Sequence, residues 1–236
     1  MLDVFGVFNV DEVKEGLFTA IHDALEIFSK TEENKDVYAI ALQLESDVGG
    51  ITLKYMTKSL FREVAAYYKG RGYKDCQLYG LHRLEYYGLG NFSRIECSDY
   101  SEILQYFFDM YYFIQTKLWY GKGIYPKQLK TIDGSNIFQM EEYKDRIVPP
   151  KAMVIVPKEE DRIYWGIAAR YCELFFEIVI DVIEKLKENT DFIDKTEDFV
   201  IYASDHDVSY ETFDELFLKT VDKDTYNTLL SRTEKY

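Results

Sequence analysis

The residues best placed to do chemistry are Ser204-Asp-His-Asp207, where two carboxylates and an imidazole follow a hydrophobic run. In extended chain, Asp205 and Asp207 project to one side and His206 to the other. Two carboxylates at the carboxyl end of a strand could hold Mg²⁺, and an imidazole could join a transition-metal site. One local cluster supplies few ligands, however. The blander reading, a polar turn leading into a helix near Ser209, is preferred.

A second constellation is Glu173, Glu177, Asp181, Glu184 and Glu188. At this spacing all five lie on one face of a helix, where like charges repel. The functional reading is a docking surface for a basic protein, with Asp205 and Asp207 added to it. The competing reading is an ordinary solvated face.

The other candidates carry less. His22, His82 and His206 are the only imidazoles, and neither a His-x-Glu nor a His-Glu-x-x-His pattern for zinc occurs. Cys76, Cys97 and Cys172 are odd in number and lack a Cys-x-x-Cys pair, so they are read as small buried hydrophobes in a reducing compartment. Gly88-Leu-Gly90-Asn-Phe-Ser93 lacks the third glycine and the following helix of a dinucleotide loop. No Gly-x-Ser-x-Gly elbow is present. No catalytic residue, cofactor or metal site is therefore assigned.

Several elements would position these residues. Asn9 and Glu12 form a capping box for a helix over 10–30, with Val13, Leu17, Ala20, Ile21, Ala24, Leu25 and Phe28 on its apolar face. Val37–Leu44 and Ile51–Tyr55 alternate as a hairpin about the turn at 46–50. Ala39 and Ala41 leave room for a helix, so the first strand is expected to be central and covered on both faces. Thr57 caps the next helix, which ends at Gly70 and Gly72. Further strands are expected over 77–87, 153–156 and 199–203. Ser98 begins a helix to Leu118 that is apolar nearly all round, and therefore either central or in contact with another chain. Trp119–Pro150 is a long excursion. The longest helix spans 159–189, with Trp165, Ala168, Ala169, Cys172, Phe175, Phe176, Val179, Ile183 and Leu186 inward. Short helices over 209–220 and 225–230 close the chain. The order of elements predicts one α+β domain over 1–236, with a mixed or antiparallel sheet of about five strands packed against several long helices.

Composition sets the class of partner. The 236 residues include 42 acidic and 28 basic ones, a net charge of −14, yet 47% are hydrophobic, with 21 Tyr and 16 Phe. Such a chain can build a large core. Its acid surplus disfavours nucleic acid and anionic membranes and attracts cations. No run is long and apolar enough to span a bilayer, and the first residues lack a basic signal-peptide region, so a cytoplasmic location is expected.

Two stretches carry a resemblance: Asp36-Val-Tyr-Ala-Ile-Ala-Leu and Asp198-Phe-Val-Ile-Tyr-Ala-Ser-Asp-His-Asp. With the architecture between them, they resemble a bacterial family known as domain of unknown function four-three-zero-three, similar to proteins of toxin–immunity loci. The resemblance implies coverage of most of the chain and no catalytic residue. The leading expectation is a non-enzymatic binding protein, in its specific form an immunity protein that neutralises a basic toxin. The alternatives are a metal-dependent enzyme at the Asp205/Asp207 turn and a homo-oligomeric structural protein using the helix at 98–118.

Overall fold

The computed structural model describes residues 9–45, 49–72, 93–97, 100–109, 111, 158–205 and 216–225, with the side chains of the long helix from Tyr171 onward. In chain order the elements are α1 (Val10–Phe28), β1 (Val37–Leu44), β2 (Ile51–Thr57), α2 (Lys58–Gly70) and β3 (Ser93–Ile95). They continue as α3 (102–109), α4 (Lys158–Lys187), β4 (Lys195–Asp205) and α5 (216–220). The class is α+β, with a mixed four-stranded sheet in the order β3-β2-β1-β4. About five strands were expected. The expected strands at 77–87 and 153–156 and the excursion at 119–150 lie outside the described residues, as do Ser98 and Cys76.

The chain divides into two compact units. The first comprises Met1–Thr19, Glu45–Gly50 and Asp99–Val182; the second comprises Ala20–Leu44, Ile51–Ser98 and Ile183–Tyr236.

In the first unit, Asn9 precedes α1 and its Oδ1 accepts from Asp11 N at 3.1 Å, while its Nδ2 donates to Glu12 Oε1 at 3.2 Å. Asn9 is the expected cap, but its side chain meets Asp11 N instead of Glu12 N, and Glu12 accepts from the Asn9 side chain instead of its backbone. Gly16 faces α3, and a Cβ there would lie 2.6 Å from Ser101 Oγ, which would have to turn away to admit it. Ser101 Oγ also accepts from Leu104 N at 3.4 Å, capping α3 within the described residues. Phe107 of α3 and Tyr111 beyond it meet Phe175 of α4 with ring centroids 5.8 Å and 5.0 Å apart. The described part of α3's apolar face is thus occupied inside its own unit.

The second unit is organised by the sheet. All eight residues of β1 are buried, as expected of a central strand. Strand β1 runs antiparallel to β2 and parallel to β4. The first and last described strands are therefore hydrogen-bonded neighbours, Ala39 opposite Val200 and Ala41 opposite Tyr202. On one face, Ala39, Ala41, Met56 and Tyr202 pack with Phe61 and Ala65 of α2 and with Phe217 of α5. The small alanines admit these rings, the expected reason for their place in β1. On the other, Tyr55 meets Phe28 of α1 at 4.5 Å.

The expected inward face of α4 is partly corrected. Tyr171, Leu174, Phe175, Ile178, Val179, Val182, Ile183 and Leu186 are buried, whereas Cys172 and Phe176 stand at the border. Leu174, Ile178 and Val182 continue the i, i+4 spacing, and the buried stripe turns toward them. Cys97 and Cys172 are half-buried, more exposed than the expected core role implies.

Candidate functional site

Three places were expected, or are found, to gather functional side chains. The first is the acidic face of α4. Glu173, Glu177, Asp181 and Glu184 are exposed on α4, and Glu188 is exposed just beyond its last residue. The helix turns them outward because its opposite stripe is apolar and buried. Part of the charge is already answered. Asp181 is ion-paired with Lys14 of α1, and Glu184 with Lys187 one turn on.

The second place is the carboxyl end of the parallel pair β1 and β4. Gln43 lies opposite Ser204, and Leu44 opposite Asp205. Gln43, Ser204 and Asp205 are 7%, 0% and 6% exposed. These are polar residues at a strand end that elsewhere holds Leu, Ala and Tyr. Ser204 Oγ is buried without a hydrogen-bond partner among the described residues. Ligands of open α/β sheets collect beyond the carboxyl ends of parallel strands, so Asp205 stands where a polar site would form. Alternation puts Asp205 on the face of Leu44 and Ser204 on the face of Gln43, so the two side chains diverge. His206 and Asp207 lie outside the described residues.

The third place was not read from the sequence. At the opposite end of the sheet, within the second unit, a cleft of about 520 Å³ opens between the loop at 32–36 and the first turns of α2. Glu32, Glu33, Lys35, Asp36, Arg62 and Glu63 bring six charges to it, and Tyr55 forms part of its wall. Its frame is fixed by hydrogen bonds. Asp36 has φ +51°, the left-handed region that Asp tolerates, and its carbonyl accepts from Lys58 N at 3.0 Å. Asn34 Nδ2 donates to Ser29 O at 3.0 Å, and Asn34 Oδ1 accepts from Asp194 N at 3.0 Å. Thr57 Oγ1 accepts from Leu60 N at 3.1 Å, the expected N-cap of α2. Just inside, Tyr38 sits at a break in register, between Val37 opposite Thr57 and Ala39 opposite Met56. Such bulges re-aim side chains at sheet ends.

The sequence hid this cleft because its walls come from a loop, a strand and a helix that share no motif. The one visible hint was the acid-rich Glu32-Glu33-Asn-Lys-Asp36 segment beside a helix end.

One further group emerges on α1. His22, Asp23 and Glu26 place one ligand atom each within 4.8 Å of the others. The His–x–x–x–Glu spacing on a helix was the readable signal. Asp23 and Glu26 are exposed, and the His22 ring stands edge-on to Phe192 at 5.2 Å.

Comparison of the chain with family models, curated proteins and solved structures finds no match. Function must therefore be argued from these sites alone. Among the described residues, no helix is long and apolar enough to cross a membrane.

Proposed function

We propose that this chain is a non-enzymatic, cytoplasmic binding protein that captures a cationic protein, and that in a toxin–immunity setting its partner is a basic toxin. One observation carries the reading: Glu173, Glu177, Asp181 and Glu184 all face solvent on a single helix, α4. An acidic strip of this kind speeds encounter with a basic partner and disfavours anionic ones. Tyr171, Phe175 and Tyr202 lie in the core, whereas these acids face solvent and are available to a partner.

Co-expression with the product of an adjacent gene, followed by purification at low and high salt, tests the reading. A one-to-one complex that weakens steeply with salt is expected. A partner that is acidic, or whose binding ignores salt, contradicts it.

A second reading has its own observation. Buried Asp205, with Gln43 and Ser204 beside it at the carboxyl end of parallel strands, suits a metal-dependent enzyme. Here Asp205 would be a metal ligand. Stabilisation by Mg²⁺ or Mn²⁺ in a thermal-shift titration, abolished in Asp205→Ala, would favour the enzyme over the binding protein.

A further inference from the structure

We propose that the carboxyl end of β1 and β4, on the sheet face packed by α2 and α5, binds a small uncharged molecule through an amide edge, with Ser204 Oγ and the Gln43 amide as its contacts. This goes beyond the capture of a cationic protein, because no residue of the acidic face takes part.

Placement is the first ground. Gln43 pairs with Thr52 of β2 on one side and with Ser204 of β4 on the other. Alternation puts all three on the face of Ala39, Ala41 and Tyr202, against which α2 and α5 pack. The sheet therefore ends there in a row of three uncharged polar side chains. One row inward, the same face reads Lys54, Ala41 and Tyr202. Open sheets take their ligands at this end of parallel strands.

The Ser204 hydroxyl is the second and independent ground. The residue is 0% exposed, and its Oγ has no hydrogen-bond partner among the described residues. Buried hydroxyls ordinarily have one, and leaving one unpaired weakens a fold. Gln43 stands directly opposite with both a donor and an acceptor, yet it does not close the bond. The hydroxyl is thus left for a group from outside the chain.

Chemistry selects the ligand. A primary amide and a hydroxyl each donate and accept. Their complement is a donor and an acceptor side by side, as on a carboxamide or a nucleobase. Charge is disfavoured, because the row carries none and burying an unpaired ion is costly. The flanking charges, Lys54 one row inward and Asp205 on the opposite face, already have interactions of their own. Tyr202, two residues before Ser204 on the same face, packs with Phe217 at 4.7 Å, an aromatic wall that favours an amide carried on a flat ring. Ser204 is wholly covered, so entry requires a neighbour to swing aside. Gln43, long and 7% exposed, is the neighbour directly opposite.

The test uses the full chain, with nicotinamide, its charged isostere nicotinate, and uridine as probes, read by ¹H–¹⁵N NMR. Saturable shifts with nicotinamide are expected at amides of 41–44, 51–53 and 202–205, and none with nicotinate. Tighter binding of uridine than of nicotinamide assigns the amide edge to a nucleobase, and the reverse order assigns it to a simple carboxamide. Ser204→Ala should raise the Tm of the free protein, because it removes the unpaired hydroxyl. It should also weaken binding about fivefold, one hydrogen bond's worth. Gln43→Met, which keeps the side-chain volume, should weaken binding at least as much; if it fails to fold, Ser204→Ala alone decides. The inference is overturned if nicotinamide and uridine both give no saturable shifts at these amides, if nicotinate binds as well as nicotinamide, or if either folded variant binds as the wild type does. It is also overturned if Ser204→Ala lowers the Tm or leaves it unchanged, which would show that water or the chain already satisfies the hydroxyl.

Discussion

Lys58 Nζ lies 2.8 Å from Asp198 Oδ2, joining the first residue of α2 to the irregular stretch of β4. The same ammonium stands 5.0 Å from the centroid of the Tyr38 ring. The pair pins the sheet at the point where β1 and β4 lose register, between Val37 opposite Lys195 and Ala39 opposite Val200. Both side chains are mostly shielded, 22% and 13% exposed. Removing one partner leaves the other charge poorly solvated. Asp198→Asn is expected to cost about 1–3 kcal/mol in urea unfolding, with α2 amides exchanging faster. Unchanged stability would show the pair to be incidental.

Phe175 is fully buried and meets Phe107, Phe108 and Tyr111. Truncation to Ala removes a ring that three others enclose. A loss of about 3–5 kcal/mol is expected, measured by chemical denaturation. Phe175→Leu should cost less, because it retains most of the volume.

Gly49 has φ +73°, and a Cβ there would overlap the Tyr111 ring. Strain and clash act together in Gly49→Ala. Destabilisation of about 1–3 kcal/mol is expected, and Tyr111→Leu in the same background should recover part of it by clearing the space.

Burial pushes the Cys97 thiol up from 9.0 to about 11, and the Glu96 carboxylate adds to the rise. The folded state therefore holds its proton where the unfolded chain has lost it. Stability from this group is intact below pH 9.0 and falls as pH climbs toward about 11. Iodoacetamide should alkylate Cys97 slowly at neutral pH, with a rate that rises along that raised titration. Rapid labelling of Cys97 at neutral pH, mapped by mass spectrometry, would contradict this.

What could be read from sequence followed local physics. The apolar spacing of Val13, Leu17, Ile21 and Leu25 placed α1, and the alternation in Val37–Leu44 with small Ala39 and Ala41 placed a central strand. Thr57 was legible as a cap because its hydroxyl acts within three residues. The short β3 was not legible, since Ser93–Ile95 is held by pairing with β2 rather than by its own pattern. The strand pairing of Asp205 with Leu44 and the ion pair of Lys14 with Asp181 span more than a hundred residues of sequence, so no local pattern announces them. The cleft was hidden for the same reason, with Tyr55 brought beside Glu63 and Glu32 only by the fold.

The central claim is that acid on α4 recognises a cationic protein. Calorimetry of the purified partner against wild type and the Glu173→Lys/Glu177→Lys/Glu188→Lys variant, at low and high salt, tests it most directly. The account predicts affinity at least about tenfold weaker for the variant at low salt, with the two proteins converging at high salt. Equal affinity of the two proteins at low salt would contradict it.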